Sequence, residues 1–403
     1  MTTAKSPVAH NAEKFVPVQT RSERPKSFVP ADFSAPTNRD AEWKYSPVDK
    51  FAPLFVDDSA QAQLNYDVDA PEGVEVASIA ANEGPRGRAF IPENIASAIA
   101  HARTEQALLV RIPAEQEIAE PVRVRISGED ATKRSLGHIV LHAERHARGT
   151  VILEYTGSAL HSENVEIVLD DESSLKVIAL HEWNDDTVHL GIHHATVGRA
   201  AAIDHSIVTF GGSAVRVNPE VHLDGNGAES DVRGLYYADA GQHFEHQVYI
   251  DHAAERTRTD VNYKGALQGS GARTVWIGDV LIREGAVGTD SYEQNRNLVL
   301  SDGARADSVP NLEIECGDIE GAGHASATGR FDEEHLFYLM ARGIDELSAR
   351  RLVVHGFLNE IVQQLDDEAL AERVQNRLEE ELKVADAAIA AIYEREQAEK
   401  ERK

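Results

Sequence analysis

Two residue types that bind soft metals lie close together near the end of a strand-rich region. Cys316, the only cysteine among 403 residues, and His324 belong to a segment rich in glycine and alanine, Cys316–Gly329. Thiolate and imidazole are both ligands of iron–sulfur clusters. Two donors are too few for a closed site, so we expect the remaining ligands to come from a second chain. The alternative is a buried thiol that packs as a small hydrophobe, beside a histidine that caps the following helix.

Other residues with chemical potential form weaker patterns. His181, His193 and His194 lie in histidine-rich segments, but their spacing matches no ordinary metal motif, and neighbouring strand residues point to opposite faces. We therefore predict structural or surface roles for them, and we expect the adjacent Asp170 and Asp171 to form a solvated turn. The sequence contains no phosphate-binding GxxxxGK[ST] loop, no HExxH and no GxSxG.

The segment before the two donors has the pattern of a stacked β structure. From about residue 107, short alternating strands are separated by turns of Gly, Ala and Asp that recur at about 18 to 25 residues. This pattern favours a β-solenoid, in which each coil buries a face on the next, over a β-sandwich. The predicted fold is therefore mainly β, with a solenoid core and helices at both ends.

Helical patterns flank this core. Pro92–Thr104 is predicted to be a helix, and the pattern becomes helical again at Phe331, with Asp332 as the expected cap. Gly343 is expected to end that helix, and Asp345 to begin the next. Three regions follow: a partly disordered and helical N-terminal domain (1–104), a β-helix core (105–330) and a C-terminal helical domain (331–403).

The composition excludes several functional classes. Asp and Glu number 68 against 40 Lys and Arg, a net charge of −28 that repels nucleic-acid phosphates. No segment has the length and apolarity of a membrane span, the N-terminus lacks a secretory-signal pattern, and one cysteine agrees with a reducing compartment. We expect a cytoplasmic protein that binds neither nucleic acid nor membrane. Its dispersed acids and scarce lysines are typical of halophilic adaptation to molar salt, with an ordinary acidic cytosolic protein as the alternative.

Three long segments resemble the SufB/SufD family of iron–sulfur cluster assembly proteins. They are Pro36–Val48, Gly241–Leu267 and Gly288–Ile344, and the similarity spans most of residues 36–365. The first segment is similar to the N-terminal motif of the SufD branch. The cysteine-containing segments specific to SufB are missing, which also favours SufD over SufB.

The resemblance implies a right-handed parallel β-helix between helical terminal domains, acting as an assembly scaffold and not as an enzyme. The implied partners are a SufB-like paralogue, which joins at the β-helix end as a heterodimer with a homodimer as the alternative, and the ABC-type ATPase SufC. His324 corresponds to the family's histidine at the SufB–SufD interface, whereas Ala322 and Gly323 stand where many relatives have Cys-Ser. Cys316 lies about one residue from a cysteine of SufB chains and is the second candidate ligand.

The C-terminal helices are expected to bind SufC through an exposed, mainly apolar face. Its candidate residues are Asp332, Leu336, Phe337, Met340, Leu352 and Phe357. The iron–sulfur cluster would be transient and shared with the partner, and the sequence leaves open whether a flavin supplies electrons. Two other functions stay open: a β-helix carbohydrate-active enzyme that uses clustered acids, and a purely structural docking subunit without cluster contact.

Overall fold

Alternating strand sequence from residue 106 to residue 330 winds into a parallel β-solenoid of about eight turns, with helices at both ends of the chain. The structure is a computed structural model that describes residues 21, 24–81, 83–330 and 333–383, without the side chains of 333–335. The predicted mainly β solenoid fold is therefore confirmed.

The strands pair in parallel along most of this length. Two short strands, β1 and β2, precede the solenoid and pair antiparallel with β4 and β3. The strands are β1 (Asn65–Asp69), β2 (Glu75–Ala80), β3 (Gln106–Ile112), β4 (Val122–Ala143), β5 (Arg148–Leu169), β6 (Ser174–Trp183), β7 (Val188–Val197), β8 (Ala202–Thr209), β9 (Ala214–Leu223), β10 (Glu229–Ala238), β11 (His243–His252), β12 (Arg258–Leu267), β13 (Arg273–Ile282), β14 (Asp290–Val299), β15 (Arg305–Ile314) and β16 (Gly321–Arg330).

Two rows of strands form the walls of the solenoid. One row runs β5–β7–β9–β11–β13–β15 and the other β5–β6–β8–β10–β12–β14–β16, because the long strand β5 contributes its two halves to both rows. The bend in β5 falls at Gly157, which has a φ of +80° and lies so close to β4 that a Cβ would be 2.1 Å from the Gly128 carbonyl oxygen. Only glycine fits this position.

The coils are longer than the turn pattern predicted. Paired residues in adjacent coils are 26 positions apart at Val188 and Ala214, and 32 apart at Arg258 and Asp290. The expected spacing of 18 to 25 residues is wrong because each coil contains two strands and two turns, and both turns carry small residues. The register fixes which residues face the interior, since side chains alternate along each strand.

The N-terminal segment covers the outer face of the β5–β15 row. Trp43, Phe51 and Ile99 are buried against apolar residues of that row. The fully buried Arg216 guanidinium lies 3.9 Å from the centre of the Trp43 ring and 2.8 Å from a Glu42 carboxylate oxygen. A buried guanidinium with both a carboxylate and an aromatic face is well compensated, so this contact ties the segment to the solenoid.

The C-terminal helices cover the outer face of the other row. Helix α4 (Glu346–Gln363) and the helical residues 368–383 bury one apolar side on β6, β8, β10 and β12. Lys264 on β12 donates to the Glu360 carboxylate at 2.6 Å and to the Phe357 carbonyl at 3.0 Å. The helices are therefore packed on the solenoid and do not form a separate unit.

The remaining helices are α1 (Val48–Phe51), α2 (Ile95–Arg103) and α3 (Glu333–Met340). Asn94 caps α2, Asp345 caps α4 by accepting from the Ser348 N–H at 3.0 Å, and Gly343 has the predicted left-handed backbone, with a φ of +88°. The predicted cap Asp332 lies outside the described residues. Among the helices of the described residues, none is both long and apolar enough to cross a bilayer.

Two glycines make room for tyrosine rings inside the solenoid. A Cβ at Gly265 would lie 1.8 Å from the Tyr236 ring. We predict that Gly265→Ala lowers the free energy of unfolding by about 1–3 kcal/mol through overpacking, measured by urea denaturation. Gly285→Ala is the matched control, because a Cβ there meets nothing within 4 Å. Equal stability of the two variants would contradict the packing described here.

Candidate functional site

The solenoid ends in two strands that each lack a neighbour on one side. Within the described residues, β15 pairs with β13 and β16 pairs with β14, and both lie at the ends of their rows. Their outer edges therefore present backbone N–H and C=O groups that no further coil satisfies. Such edges are templates for pairing with another chain.

The interior of the last coil is also uncovered. Leu312 and Ala322 continue the stack of interior apolar residues but are only partly buried, and Ile314 is exposed. The Ser308 and Ser326 hydroxyls, on β15 and β16, lie 2.8 Å apart across the end of the solenoid. The cross-section of the core is thus a surface in this molecule, with an apolar centre and two strand edges along its sides.

His324 lies on this open end. It is exposed, and it occupies the position between Ala322, which packs on the interior cluster, and Ser326, which contacts the opposite row. Alternation along β16 therefore directs the imidazole towards the solenoid axis. The resemblance assigned His324 to a partner interface, and the structure places it on a surface that is open to one.

Cys316 has a different environment. It follows β15 in the turn that leads to β16, has a side chain that is 6% exposed in the folded chain, and belongs to the interior apolar cluster. Its Sγ lies 3.8 Å from the Asp318 carbonyl oxygen. This environment favours the alternative of a thiol that packs as a small hydrophobe.

Glu293, which no sequence motif singled out, is in register with His324 on the neighbouring strand β14. Its side chain is fully buried, and neither carboxylate oxygen has a hydrogen-bond partner. It fits because Gly278 faces it, where a Cβ would be 2.2 Å from Oε2. Burial, followed by the nearby charge of Asp279, raises the pKa of Glu293 to about 8.

A signal for Glu293 is present in the sequence of β14. Most solenoid strands carry apolar residues at interior positions, whereas β14 reads "DSYEQNRNLV" and is polar on both faces. Its interior positions before the final valine are Ser291, Glu293, Asn295 and Asn297, all buried. A strand without an apolar face, within a run of strands that have one, predicts a polar interior at that coil.

Polar residues also line the axis deeper in the solenoid. Asn295 donates to the Tyr236 hydroxyl at 2.9 Å, and that hydroxyl donates to the Asn297 carbonyl at 2.7 Å. Further in, His193 and His205 ring nitrogens lie 3.0 Å apart. Burial lowers the pKa of both histidines, so they are neutral and one donates to the other. These residues stabilise the interior by pairing with one another.

Among the described residues, two groups of histidines and carboxylates have the spacing of a metal site. In the first, Glu163 lies 3.4 Å from His161 and 3.1 Å from His189, and all three are fully buried. Trp183 donates to Nδ1 of His189 at 3.3 Å, so the proton of that imidazole is on Nε2 and points at Glu163. Although burial favours the neutral acid, these imidazole hydrogen bonds hold the pKa of Glu163 well below its usual range. Donors already occupy the position a metal would take.

The second group is His194, Glu220 and His222, on the outer face of the wall. The Arg21 guanidinium contacts one Glu220 oxygen, and His194 lies 2.7 Å from the other. His193 therefore faces the axis while His194 faces Phe90 outside, as alternation predicted. The histidines of both histidine-rich segments are buried and pack within the fold.

The predicted turn at Asp170 and Asp171 is also present. Asp170 accepts from His142 at 2.9 Å, and Asp171 accepts from the Arg199 backbone N–H at 3.0 Å. The two carboxylates bind separate partners and form no catalytic pair.

The residues predicted to bind an ATPase differ in their exposure. Phe337, Met340 and Leu352 are exposed, with Phe337 74% exposed. Leu336 was expected on this face but is buried, because a helix packed on a neighbour turns one side inward. Phe357 is half-buried and packs on the apolar cluster beneath α4. Asp332 lies outside the described residues.

The chain is similar to a known protein family and to individual proteins of two mycobacteria. The family described as "SUF system FeS cluster assembly, SufBD core domain" matches residues 124–357. The chain is 40% identical over 395 residues to an iron-sulfur cluster assembly SufBD family protein of Mycobacterium bovis, covering 96% of this chain and 97% of that protein. A SufBD family protein of Mycobacterium leprae is 40% identical over 373 residues, covering 91% of this chain and 95% of that protein.

A second SufBD family protein of Mycobacterium leprae is similar to part of the chain. It is 29% identical over 211 residues, which is 52% of this chain and 24% of that protein. One organism thus holds two relatives, one similar along nearly its whole length and one along about a quarter.

The environment of Glu293 predicts how the stability of the fold depends on pH. Its pKa is raised in the folded state, so folding takes up a proton between the ordinary carboxyl pKa of 4.5 and about 8. Wild type should therefore lose stability relative to Glu293→Gln as pH rises through this range, by up to about 1.4 kcal/mol per pH unit. Urea denaturation at three pH values measures the difference. Asp290→Asn, on the outer face of the same strand, is the control, and a difference that does not grow with pH contradicts the assignment.

Proposed function

Because this chain belongs to the SufB/SufD family of iron–sulfur cluster assembly proteins, we propose that it is the SufD-type scaffold subunit of a SufBCD complex. In this role it pairs with a SufB-like paralogue and binds the SufC ATPase. One observation carries the proposal: the open solenoid end presents two strand edges and His324 on the same surface.

Pairing with a paralogue follows from the shape of the open end. A partner must supply backbone groups at the spacing of β15 and β16 and an apolar centre that covers Leu312 and Ala322. A related solenoid can do both, since its own coils have the same strand spacing. The presence of two SufBD family proteins in Mycobacterium leprae supports a pair of unlike subunits.

The cluster is the cargo of this complex, and His324 is this chain's proposed ligand to it. Partner thiolates would complete the site, which then exists only where the two subunits meet. Neutral imidazole donates less electron density to iron than thiolate does, so the cluster is held less tightly at that corner. A scaffold that must release its product benefits from such a ligand.

The exposed side of the C-terminal helices is the proposed SufC site. Phe337, Met340 and Leu352 give it apolar side chains, while the opposite side of α4 packs on the solenoid. Apolar exposure of this kind on a surface marks a protein-binding site. Because α4 contacts the wall directly, movement of the bound ATPase would act on the solenoid.

We propose no enzymatic activity for the chain itself, and a cytoplasmic location. A carbohydrate-active enzyme needs two carboxylates facing a substrate, whereas the buried Glu163 and Glu245 are held by histidine and arginine donors. A purely structural docking subunit is the second candidate, and His324 distinguishes it from a scaffold that contacts the cluster.

We predict that His324→Ala leaves the complex and its ATPase activity intact but lowers its iron and sulfide content severalfold. The measurement is chemical analysis and Mössbauer spectroscopy of the complex co-expressed with the partners and purified anaerobically. Cys316→Ala is the control, since its thiol packs as a small hydrophobe, and it should retain most of the cluster. Full cluster content in His324→Ala would make the chain a docking subunit only.

We predict that the double variant Phe337→Ser/Met340→Ser weakens SufC binding at least tenfold, because interface energy is concentrated in a few apolar anchors. Calorimetric titration with purified SufC gives the affinity. Val287→Ser, which changes an exposed apolar residue on a solenoid turn, should bind normally. Point substitutions are preferred to deletion of residues 331–403, which would uncover the apolar wall beneath α4. Unchanged affinity of the double variant would exclude this face.

A further inference from the structure

Glu293 differs from Glu163 on the axis and from Glu245 beneath the N-terminal segment in having, among the described residues, neither an ion-pair nor a hydrogen-bond partner. Glu163 accepts from the His189 imidazole at 3.1 Å and has the His161 imidazole at 3.4 Å, and Glu245 has Arg216 at 3.6 Å and the Ser46 hydroxyl at 2.8 Å. Glu293 is equally inaccessible, yet both of its oxygens lack a partner. A buried carboxyl without hydrogen bonds destabilises the fold. Such a cost at one position points to a partner that binds from outside the chain.

The position of Glu293 indicates from which side that partner would bind. It lies in the coil just beneath the open end, in register with His324. Both residues face the solenoid axis, and adjacent strands are about 4.8 Å apart. A cation held between them would contact the carboxylate from one side and the imidazole from the other. Within the described residues, the last coil with His324 lies above this position, and beyond it is the exposed end of the solenoid.

The surroundings of Glu293 are polar and contain no cation. The Trp276 ring lies against the same Gly278 position, and its indole N–H has no acceptor. The Ser291 hydroxyl, two residues before Glu293 on the same face, is also unpaired. Among the described residues, no Lys or Arg forms an ion pair with Glu293. Glu293 is therefore buried among polar groups without a cation of the described chain beside it.

We propose, on the premise that the open end is the cluster-assembly site proposed above, that Glu293 and His324 form this chain's half of a ferrous-iron site. A carboxylate oxygen and a neutral imidazole are both good ligands for Fe²⁺. Two ligands leave four positions of an octahedron to water or to a partner chain. Glu293 and His324 would thus hold incoming Fe²⁺ at the seam before the His324 imidazole contacts the cluster.

The first experiment measures iron binding by the full chain alone, without the partner or SufC. Anaerobic equilibrium dialysis against Fe²⁺ in molar salt is suitable, because salt screens the many surface carboxylates and suppresses diffuse binding. Wild type should bind one Fe²⁺, and Glu293→Gln and His324→Ala should each weaken that binding at least tenfold. Asp290→Asn removes a carboxylate from the other face of β14 and should bind as wild type does.

A second measurement keeps the test independent of folding defects. In chelator, Glu293→Gln should melt cooperatively as wild type does, because the buried carboxyl is replaced by an amide of the same shape. Added Fe²⁺ should raise the melting temperature of wild type and of Asp290→Asn but not of Glu293→Gln. A folded Glu293→Gln that binds Fe²⁺ as wild type does overturns the proposal.

The outcomes also separate this proposal from the proposed function. Normal Fe²⁺ binding by Glu293→Gln, together with loss of cluster from the His324→Ala complex, removes Glu293 from the site and leaves the scaffold role intact. Absence of any Fe²⁺ binding by the wild-type chain in molar salt likewise overturns the half-site. Loss of Fe²⁺ binding in Glu293→Gln with full cluster content in His324→Ala would keep an iron site but exclude His324 as a cluster ligand.

Discussion

Parallel, in-register stacking of coils is the constraint on which the rest of this structure depends. Each strand satisfies its backbone only through the coil before and the coil after it, and each residue's place in the register decides whether it faces the axis or the outside. The outer faces of the two walls are covered by the N-terminal segment and by the C-terminal helices. Among the residues that the structure describes, none covers the stack after β16, so this end of the solenoid is an incomplete surface.

This stacking explains why some polar residues of the interior have hydrogen-bond partners and others do not. Glu163 and Glu293 are the same residue type, both fully buried and both facing the axis, yet only Glu163 has a donor from a neighbouring coil, His189. Middle coils can supply partners from above and below, whereas a residue in the second-to-last coil has a neighbour above it only in the exposed final strand. Glu293 is therefore unpaired where stacking stops, and its environment would change when another chain continues the stack.

Much of the fold could be predicted from alternation and turn residues, because a solenoid repeats one local rule. Alternation also correctly separated His193 from His194. Coil length could not be predicted, since two similar turns per coil look like one shorter repeat. Burial of Leu336 depended on how α3 packs, which helical periodicity alone does not specify. Glu293 was missed because an acidic residue in a strand is ordinarily placed on the solvent face, and only closure of the coil shows that β14 has polar residues inside.

An incomplete surface is well matched to assembly and release. A closed site with all its ligands on one chain would retain iron tightly and compete with the proteins that need the cluster. Two half-sites on separate chains bind iron weakly when apart and strongly when together. A moving partner that separates them therefore lowers the affinity for iron at once. The net charge of −28 attracts Fe²⁺ to the chain without selecting a position on it. A specific iron position must then be selected by direct ligands that are shielded from salt. Among the described residues, the axis beneath His324 is the place where a buried, unpaired carboxylate lies next to the open end.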